Sequence, residues 1–160
     1  MSEIIPEVMS DSSNDDAVAA RSDLETSYCI ALRRIARQMT ARYDRWLAPS
    51  GLRATMFHLL SQLEPGSQPT ITGLAERVGL DRSTLGRNLR VLERAGFVRL
   101  ADAADERARA VSLTAAGHVA LEAARPLWDA AQREVGDLLG ADGSSLLAIL
   151  SRLGDQLATD

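Results

Sequence analysis

The fold of this chain is decided by residues 74–100, LAERVGLDRSTLGRNLRVLERAGFVRL. Gly79 supplies the positive φ that a tight turn between two helices needs, and Asp81 is a good N-cap for the second of those helices. Gly96 ends that helix. Two strands joined by a polar, acidic segment follow, at residues 97–100 and 108–113. A helix, a tight turn, a helix and a hairpin in this order predict a winged helix-turn-helix.

Apolar residues recur at helical spacing on both sides of this stretch and predict further helices. The first apolar stripe begins at Leu24, and Thr70 or Thr72 is expected to cap the short helix before Gly79. Thr114 is expected to cap a helix of two dozen residues, which a break separates from a leucine-rich last helix. The helices are predicted at about 24–46, 53–63, 70–78, 82–95, 115–139 and 144–157. The predicted fold class is therefore mainly α with a small β-hairpin wing.

The helices that flank the winged unit are predicted to form a dimer. The two C-terminal helices carry more apolar surface than a winged helix of about 60 residues covers, and such surface implies a partner. We expect residues 22–160 to form one domain, with the winged helix-turn-helix at 53–114 and dimerisation helices at 22–47 and 115–160. Residues 1–21 are acidic and lack apolar periodicity, which is typical of a disordered tail.

Charge is distributed unevenly along the chain. The 18 basic residues are all arginine, and 22 acids give a net charge of −4, which by itself argues against a nucleic-acid binder. Residues 71–114, however, hold eight arginines and six acids, a balance of +2, while the remaining ten arginines and sixteen acids give −6. This asymmetry indicates a local basic surface on an otherwise acidic protein.

Several classes of protein are excluded by composition. The one cysteine cannot form an intrachain disulfide, which fits a reducing cytoplasm. No apolar run approaches the roughly 18 residues of a membrane span, and the N-terminus does not resemble a secretory signal. His58 and His118 stand 60 residues apart, without ligand spacing. Because no nucleophile–base pair or phosphate-cradling glycine loop is present, we expect a cytoplasmic protein that is not an enzyme and has no cofactor, metal or membrane partner.

The helix that runs from Arg82 to about Ala95 has the composition of a DNA recognition helix. Its buried side is predicted to consist of Leu85, Leu89, Val91 and Leu92. Its outer side offers Arg82, Ser83, Thr84, Arg87, Asn88 and Arg90. Arginine binds guanine and asparagine binds adenine with two hydrogen bonds in the major groove, and hydroxyls of the first turn suit phosphates. A solvated amphipathic helix is the alternative, because arginine is a good helix former.

The hairpin offers a second contact with DNA. Arg107, in the polar turn, is positioned to reach a minor groove, which is narrow and strongly negative at A·T-rich sequence. Asp105 would hold Arg107 by a charge-assisted hydrogen bond. Arg109 of the second strand is included among the expected DNA contacts. The alternative is an ordinary polar turn.

Residues 52–114 resemble the MarR family of bacterial transcription regulators. The resemblance is carried by Leu74-Ala75, Ser83-Thr84-Leu85, LERAGFV at 92–98, Asp105-Glu106-Arg107 and VSLT at 111–114. In layout, it extends over about residues 24–157. It implies a homodimer in which the first and last two helices interlock. It also implies that two recognition helices read a pseudo-palindromic operator in double-stranded DNA, usually as a repressor that a small molecule or an oxidant releases.

The predicted first helix is similar to that of OhrR, the branch of this family that senses organic peroxide. There a cysteine is the sensor and tyrosines bond its thiolate. Cys29 and Tyr43 match that pattern, whereas Arg33 stands where another tyrosine would be. Arg33, four residues from Cys29 on a helix, would itself stabilise a thiolate.

Two alternatives stay open from the sequence. If Cys29 is only a small buried hydrophobe, the expected effector is a phenolic or other small aromatic acid near Trp46. The alternative class of protein is a winged helix that serves as a protein-interaction module without binding DNA. The arginine-rich outer side of the recognition helix argues against that class.

Overall fold

A computed structural model describes residues 27–63, 66, 68–101 and 109–157. The predicted acidic tail, residues 1–21, and the tip of the hairpin lie outside the described residues. The described part of the chain falls into two compact units that divide between Thr40 and Ala41.

Helices make up most of the described chain, and one short antiparallel hairpin accompanies them. The elements are α1 (Tyr28–Leu47), α2 (Ala54–Ser61), α3 (Ile71–Val78), α4 (Arg82–Arg94), β1 (Val98–Leu100), β2 (Val111–Leu113), α5 (Ala115–Leu139) and α6 (Gly143–Leu157). Short 3-10 turns, Ala48–Ser50 and Gly140–Asp142, follow α1 and α5. The predicted fold class, mainly α with a small hairpin, is confirmed.

Local signals in the sequence set the ends of these helices. The side chains of Thr70, Asp81 and Thr114 accept hydrogen bonds from the amides of Gly73, Thr84 and Gly117, at 3.1, 2.9 and 3.0 Å respectively. An N-cap of this kind contributes about 1 kcal/mol to the stability of its helix. Gly79 (φ 64°) and Gly96 (φ 77°) adopt the left-handed conformation after α3 and α4, as predicted.

The hairpin strands are shorter than predicted and gain a third segment. Val98 pairs with Leu113, and Leu100 pairs with Val111. The start of β2 also pairs, on the side away from β1, with the segment that leads into α3. There the Ile71 amide donates to the carbonyl of Arg109 (3.0 Å), and the Val111 amide donates to the carbonyl of Pro69 (2.9 Å). The base of the hairpin is therefore tied to the start of α3 as well as to the end of α4.

The core of the larger unit lies where α2–α5 and the hairpin meet. Its fully buried side chains include Leu47, Leu52, Leu59, Leu60, Leu63, Leu74, Leu85, Leu89, Leu92 and Val111. The prediction that Val91 belongs to this core is wrong, because its side chain is 46% exposed. A helix turns by about 100° per residue, which places Val91 roughly 120° away from the stripe that Leu85, Leu89 and Leu92 form.

A close contact joins the start of α5 to the end of α4. The Thr114 hydroxyl donates to the Gly96 carbonyl (2.6 Å), and the Thr114 amide donates to the Phe97 carbonyl (3.0 Å). Gly117 packs so closely that a Cβ on it would lie 2.0 Å from the Phe97 carbonyl oxygen. Since only glycine permits this approach, the long helix is held directly against the chain that leaves the recognition helix.

Apolar side chains remain exposed in both units. In α6 no residue is buried, and the exposed set there is Leu146, Leu147, Ile149, Leu150, Leu153 and Leu157. In the smaller unit, α1 exposes Tyr28, Ile30, Leu32 and Ile35. Among the described residues, no helix is long and apolar enough to cross a bilayer.

Candidate nucleic-acid interface

The recognition helix α4 turns its arginine-rich side to solvent. Leu85, Leu89 and Leu92 are fully buried on its inner side. Because Ser83, Arg87 and Arg90 lie roughly opposite that stripe, they are exposed. The sequence prediction places these three residues on the outer side, and the structure agrees.

The first turn of α4 is ordered by the carboxylate of Asp81. That carboxylate accepts hydrogen bonds from the Thr84 amide (2.9 Å) and the Ser83 hydroxyl (2.7 Å). These bonds hold the pKa of Asp81 well below its ordinary value, so the side chain stays ionised at the positive end of the helix. The Ser83 hydroxyl proton is thus engaged within the protein, and a phosphate contact from Ser83 requires it to change partner.

Arg87 folds back along its own helix. Its Nε donates to the Ser83 carbonyl (3.3 Å), and one Nη lies 3.4 Å from the Ser83 hydroxyl oxygen. Arg94 makes the same kind of contact with the Arg90 carbonyl, at 3.2 Å. These hydrogen bonds to solvent-exposed carbonyls are weak. The guanidinium groups therefore lie along the helix surface, and another acceptor can displace these bonds at little cost.

A cleft of about 410 Å³ separates α4 from the hairpin. Its lining residues are Ile71, Arg82, Ser83, Gly86, Arg87, Arg90, Glu93, Leu100 and Arg109. The Glu93 carboxylate accepts a hydrogen bond from the Leu100 amide (3.3 Å), which ties α4 to β1. Four arginines against one glutamate leave the cleft strongly positive.

Arg109 lies in this cleft and not at the tip of the hairpin. Its Nε is buried and has no hydrogen-bond partner among the described residues. The sequence placed Arg109 on the second strand, among the expected DNA contacts. The turn residues Asp105 and Arg107 lie outside the described part of the chain. The position of Arg109 against α4 depends on the pairing of the hairpin base with residues 69–71, which the sequence did not indicate.

Asn88 lies on the opposite flank of α4 from Arg82. Six residues advance a helix by about 600°, so the two positions are well separated around the axis. Asn88 is half-buried beside α2, in a groove of about 310 Å³ lined by Arg53, Thr55, Met56, Leu59, Asn88, Val91 and Leu92. The residues predicted to share one outer side therefore occupy the outer face and both flanks.

A second polar cluster joins the end of α1 to α5. The Glu134 carboxylate accepts hydrogen bonds from Arg42 and from the Trp46 indole N–H. These two bonds, with Arg42 the larger cause, lower the pKa of Glu134 to about 2. Beside them lies a cavity of about 430 Å³ lined by Arg42, Arg45, Trp46, Pro49, Leu127 and Glu134.

Tyr43 is buried behind this cluster. Its hydroxyl donates to Gln132 (2.5 Å), and its ring packs on that of Trp128 with centroids 4.6 Å apart. Burial raises the pKa of Tyr43. The Tyr43 phenol therefore has a partner of its own in α5. Sequence reasoning missed Gln132 and Glu134, because no local pattern connects residues about 90 positions apart.

The two remaining residues of the proposed sensor lie in the smaller unit. Cys29 and Arg33 are both exposed on α1. Within a single chain, Cys29 is therefore not part of the core. A sensing role for Cys29, Arg33 and Tyr43 stays a prediction. Among the described residues, no group of three or more His, Cys, Asp or Glu is placed to hold a metal ion.

Comparison with known proteins identifies the family. A helix-turn-helix domain model matches residues 51–101, and no curated protein matches the chain. The transcriptional regulator MosR of M. tuberculosis is 37% identical, with a TM-score of 0.73 over 86% of this chain and 99% of MosR. A structure of MosR in complex with DNA is 39% identical, with a TM-score of 0.75 over 83% and 97%.

Two more distant structures share the fold. CouR of Rhodococcus jostii RHA1, bound to p-coumaroyl-CoA, is 21% identical, with a TM-score of 0.64 over 84% of this chain and 94% of CouR. A MarR-family regulator of Rhodococcus sp. RHA1 is also 21% identical, with a TM-score of 0.61 over 81% and 91%. Three findings agree: α4 presents arginines to solvent, a hairpin lies beside it, and the chain is 37% identical to MosR over almost the whole length of MosR. This chain therefore belongs to the MarR family of winged helix-turn-helix transcription regulators.

Proposed function

We propose that this protein is a homodimeric repressor that holds α4 in the major groove of a pseudo-palindromic operator. The observation that carries the proposal is the solvent face of α4, where Arg87 and Arg90 stand exposed above a buried leucine stripe. The complex of the related regulator MosR with DNA supports it. We propose a regulatory and not a catalytic role.

Different parts of this surface contact bases and phosphates. Arg87 and Arg90 are the candidates for guanine, since bidentate arginine–guanine contacts are the commonest specific ones in the major groove. Asn88, on the flank beside α2, is a candidate for adenine at the edge of the site. Ser83 and Thr84 face phosphates, and Arg107 with Asp105 is assigned to the minor groove.

Dimerisation follows from the exposed apolar side chains of α6 and α1. A helix with six large exposed aliphatic residues and no buried one is not stabilised by its own chain, so a second copy must cover it. Two-fold symmetry then presents two copies of α4 to half-sites about one helical turn, roughly 10 base pairs, apart.

We propose a small aromatic acid as the effector, bound in the cavity beside Trp46. The indole offers a stacking surface, and Arg45 offers a positive charge for a carboxylate. The ligand carried by CouR, p-coumaroyl-CoA, is itself a phenolic compound. Trp46→Ala should abolish release by such acids, while DNA affinity without ligand stays within about threefold.

Oxidation of Cys29 is the second candidate for release. The thiol is exposed on α1 in the single chain, among apolar side chains that a second copy would cover, so its access in the dimer decides this candidate. The chain has one cysteine, so its sulfenic acid must stay as such, pair with a small thiol or bridge two chains. Release of Cys29→Ser and the wild type by the same dose of organic hydroperoxide would rule this candidate out.

Retardation of DNA in a gel tests the proposed function. A pool of duplexes selected from random sequence should be retarded at 50 mM salt, and affinity should fall steeply by 200 mM because arginine contacts displace condensed counterions. The Arg87→Ala, Arg90→Ala double variant is the matched control and should lose specific binding. A folded, dimeric protein that retards no duplex would favour the protein-interaction module.

A further inference from the structure

The cleft between α4 and the hairpin is lined by arginine side chains from both of its walls. Arg109 lies on its hairpin wall with its Nε buried and unpartnered among the described residues. A buried N–H without an acceptor costs free energy, and an ordered water or ion is one of the ways in which native structures satisfy such a group. Arg82 lines the same cleft from α4.

The backbone of Arg109 is fixed before any ligand arrives. Its carbonyl accepts the Ile71 amide at 3.0 Å, and the neighbouring Ala110 pairs with Thr70. The opposite wall is equally fixed, since Glu93 is bonded to the Leu100 amide. The backbone of both walls is therefore set before an anion binds, and only the arginine side chains must be ordered on binding.

The position of the cleft determines which anion it meets. In duplex DNA, one sugar–phosphate strand separates the major groove from the adjacent minor groove. With α4 in the major groove and the hairpin beside it, that strand runs over the cleft between them. Arginine forks match the geometry of a phosphate oxygen pair.

We propose that this cleft binds one backbone phosphate of each operator half-site, held by Arg109 from the hairpin and Arg82 from α4. The inference rests on the proposed function and deepens it, because it assigns Arg109 to a phosphate instead of a base edge or the minor groove. Arg109 then sets the register of α4 along the groove and carries no sequence preference of its own.

The test uses the full-length protein and an operator in which single phosphates are replaced by neutral methylphosphonates. In the wild type, one replacement per half-site should weaken binding by about tenfold, the size of one charge-assisted hydrogen bond. Arg109→Gln should bind the unmodified operator about tenfold more weakly for each half-site, and it should lose no further affinity at that phosphate. Its dependence on salt should be shallower by about 0.9 per half-site, on a logarithmic scale.

Two variants control the experiment. Arg99→Gln removes the same charge from the same hairpin, but from the exposed side chain that alternates with Leu100 along β1, and should leave the phosphate profile unchanged. The operator affinity of Arg82→Gln should become insensitive to methylphosphonate at the same phosphate as that of Arg109→Gln. The site therefore remains testable if the Arg109 variant unfolds.

Each other result overturns the assignment. Arg109→Gln and Arg99→Gln could reduce operator affinity equally, or the loss from Arg109→Gln could add to the loss from every methylphosphonate. Either result would show that Arg109 does not contact the phosphate. Millimolar orthophosphate could instead stabilise the free wild type but not Arg109→Gln, while Arg109→Gln stays as sensitive as the wild type to every methylphosphonate. That result would assign the cleft to a free anion. If the wild type binds no duplex at all, the proposed function itself fails.

Discussion

Substitution of Gly117 by alanine tests how α5 is joined to the recognition helix. The added Cβ would lie 2.0 Å from the Phe97 carbonyl oxygen, whereas ordinary contact begins at 3.4 Å. The nearest atom belongs to backbone and not to a flexible side chain, so rotation of a side chain does not relieve the overlap. The first turn of α5 must therefore move away from Phe97.

The size of the effect follows from the bonds that this movement breaks. Separation by more than 1 Å lengthens the 3.0 Å bond from the Thr114 amide to Phe97 beyond bonding range, and it also strains the Thr114 hydroxyl bond to Gly96. Two lost bonds cost about 1 kcal/mol each, and overpacking costs about 1–3 kcal/mol. The helix preference of alanine recovers about 1 kcal/mol, which leaves a net destabilisation of about 2–4 kcal/mol.

The assay is urea unfolding followed by far-UV circular dichroism at one fixed protein concentration, because the stability of a dimer depends on concentration. Gly136→Ala is the matched control: it lies in the same helix, and its added Cβ would meet nothing within 4 Å. That variant should be more stable than the wild type by up to about 1 kcal/mol. Equal stabilisation by both alanines would refute the close contact at Gly117.

Four further outcomes are expected. Arg87→Ala or Arg90→Ala should cost about 1–3 kcal/mol on the selected operator and relax preference at one base position, whereas equal losses on all sequences would indicate phosphate contacts only. The pKa of Glu134 is lowered to about 2 in the folded protein, so the ionised carboxylate stabilises the fold above the ordinary pKa of about 4.5, and this stabilisation is lost as pH falls from about 4.5 towards 2. The difference in free energy of unfolding between wild type and Glu134→Gln, measured in urea across that range, should therefore shrink towards low pH. Removal of residues 143–160 should abolish the dimer in sedimentation, and a soluble monomer that still binds the operator would contradict the architecture. Cys29→Ser should bind DNA as the wild type does; if oxidation is the signal, this variant alone should ignore organic hydroperoxide in the retardation assay.

Local chemistry explains why so much of the winged unit was predictable. Asp81 caps α4 by bonding an amide three residues away, and Thr114 caps α5 in the same way. Gly79 and Gly96 adopt the positive φ that no other residue type adopts as readily. Such interactions are complete within one turn of chain, so the sequence of that turn contains all of their partners.

The flanks of α4 were less predictable because burial depends on what packs beside the helix. Val91 is apolar, yet it remains 46% exposed, since the core contacts only the stripe at Leu85, Leu89 and Leu92. Asn88 was grouped with the arginines by polarity, but α2 half-covers it. Residue type indicates which side chains tolerate water, and the neighbouring helices determine which of them are exposed.

The sequence by itself determined the family, the order of the elements, the helix caps and the arginine-rich outer face of α4. Only the tertiary structure placed Arg109 in the cleft against α4, engaged the Tyr43 phenol with Gln132, and joined Arg42 and Trp46 to Glu134. The first set depends on contacts within a few residues, which a linear pattern encodes. The second set depends on which distant segments pack together, because side chains about 90 residues apart become neighbours only when the core that lies between them has formed.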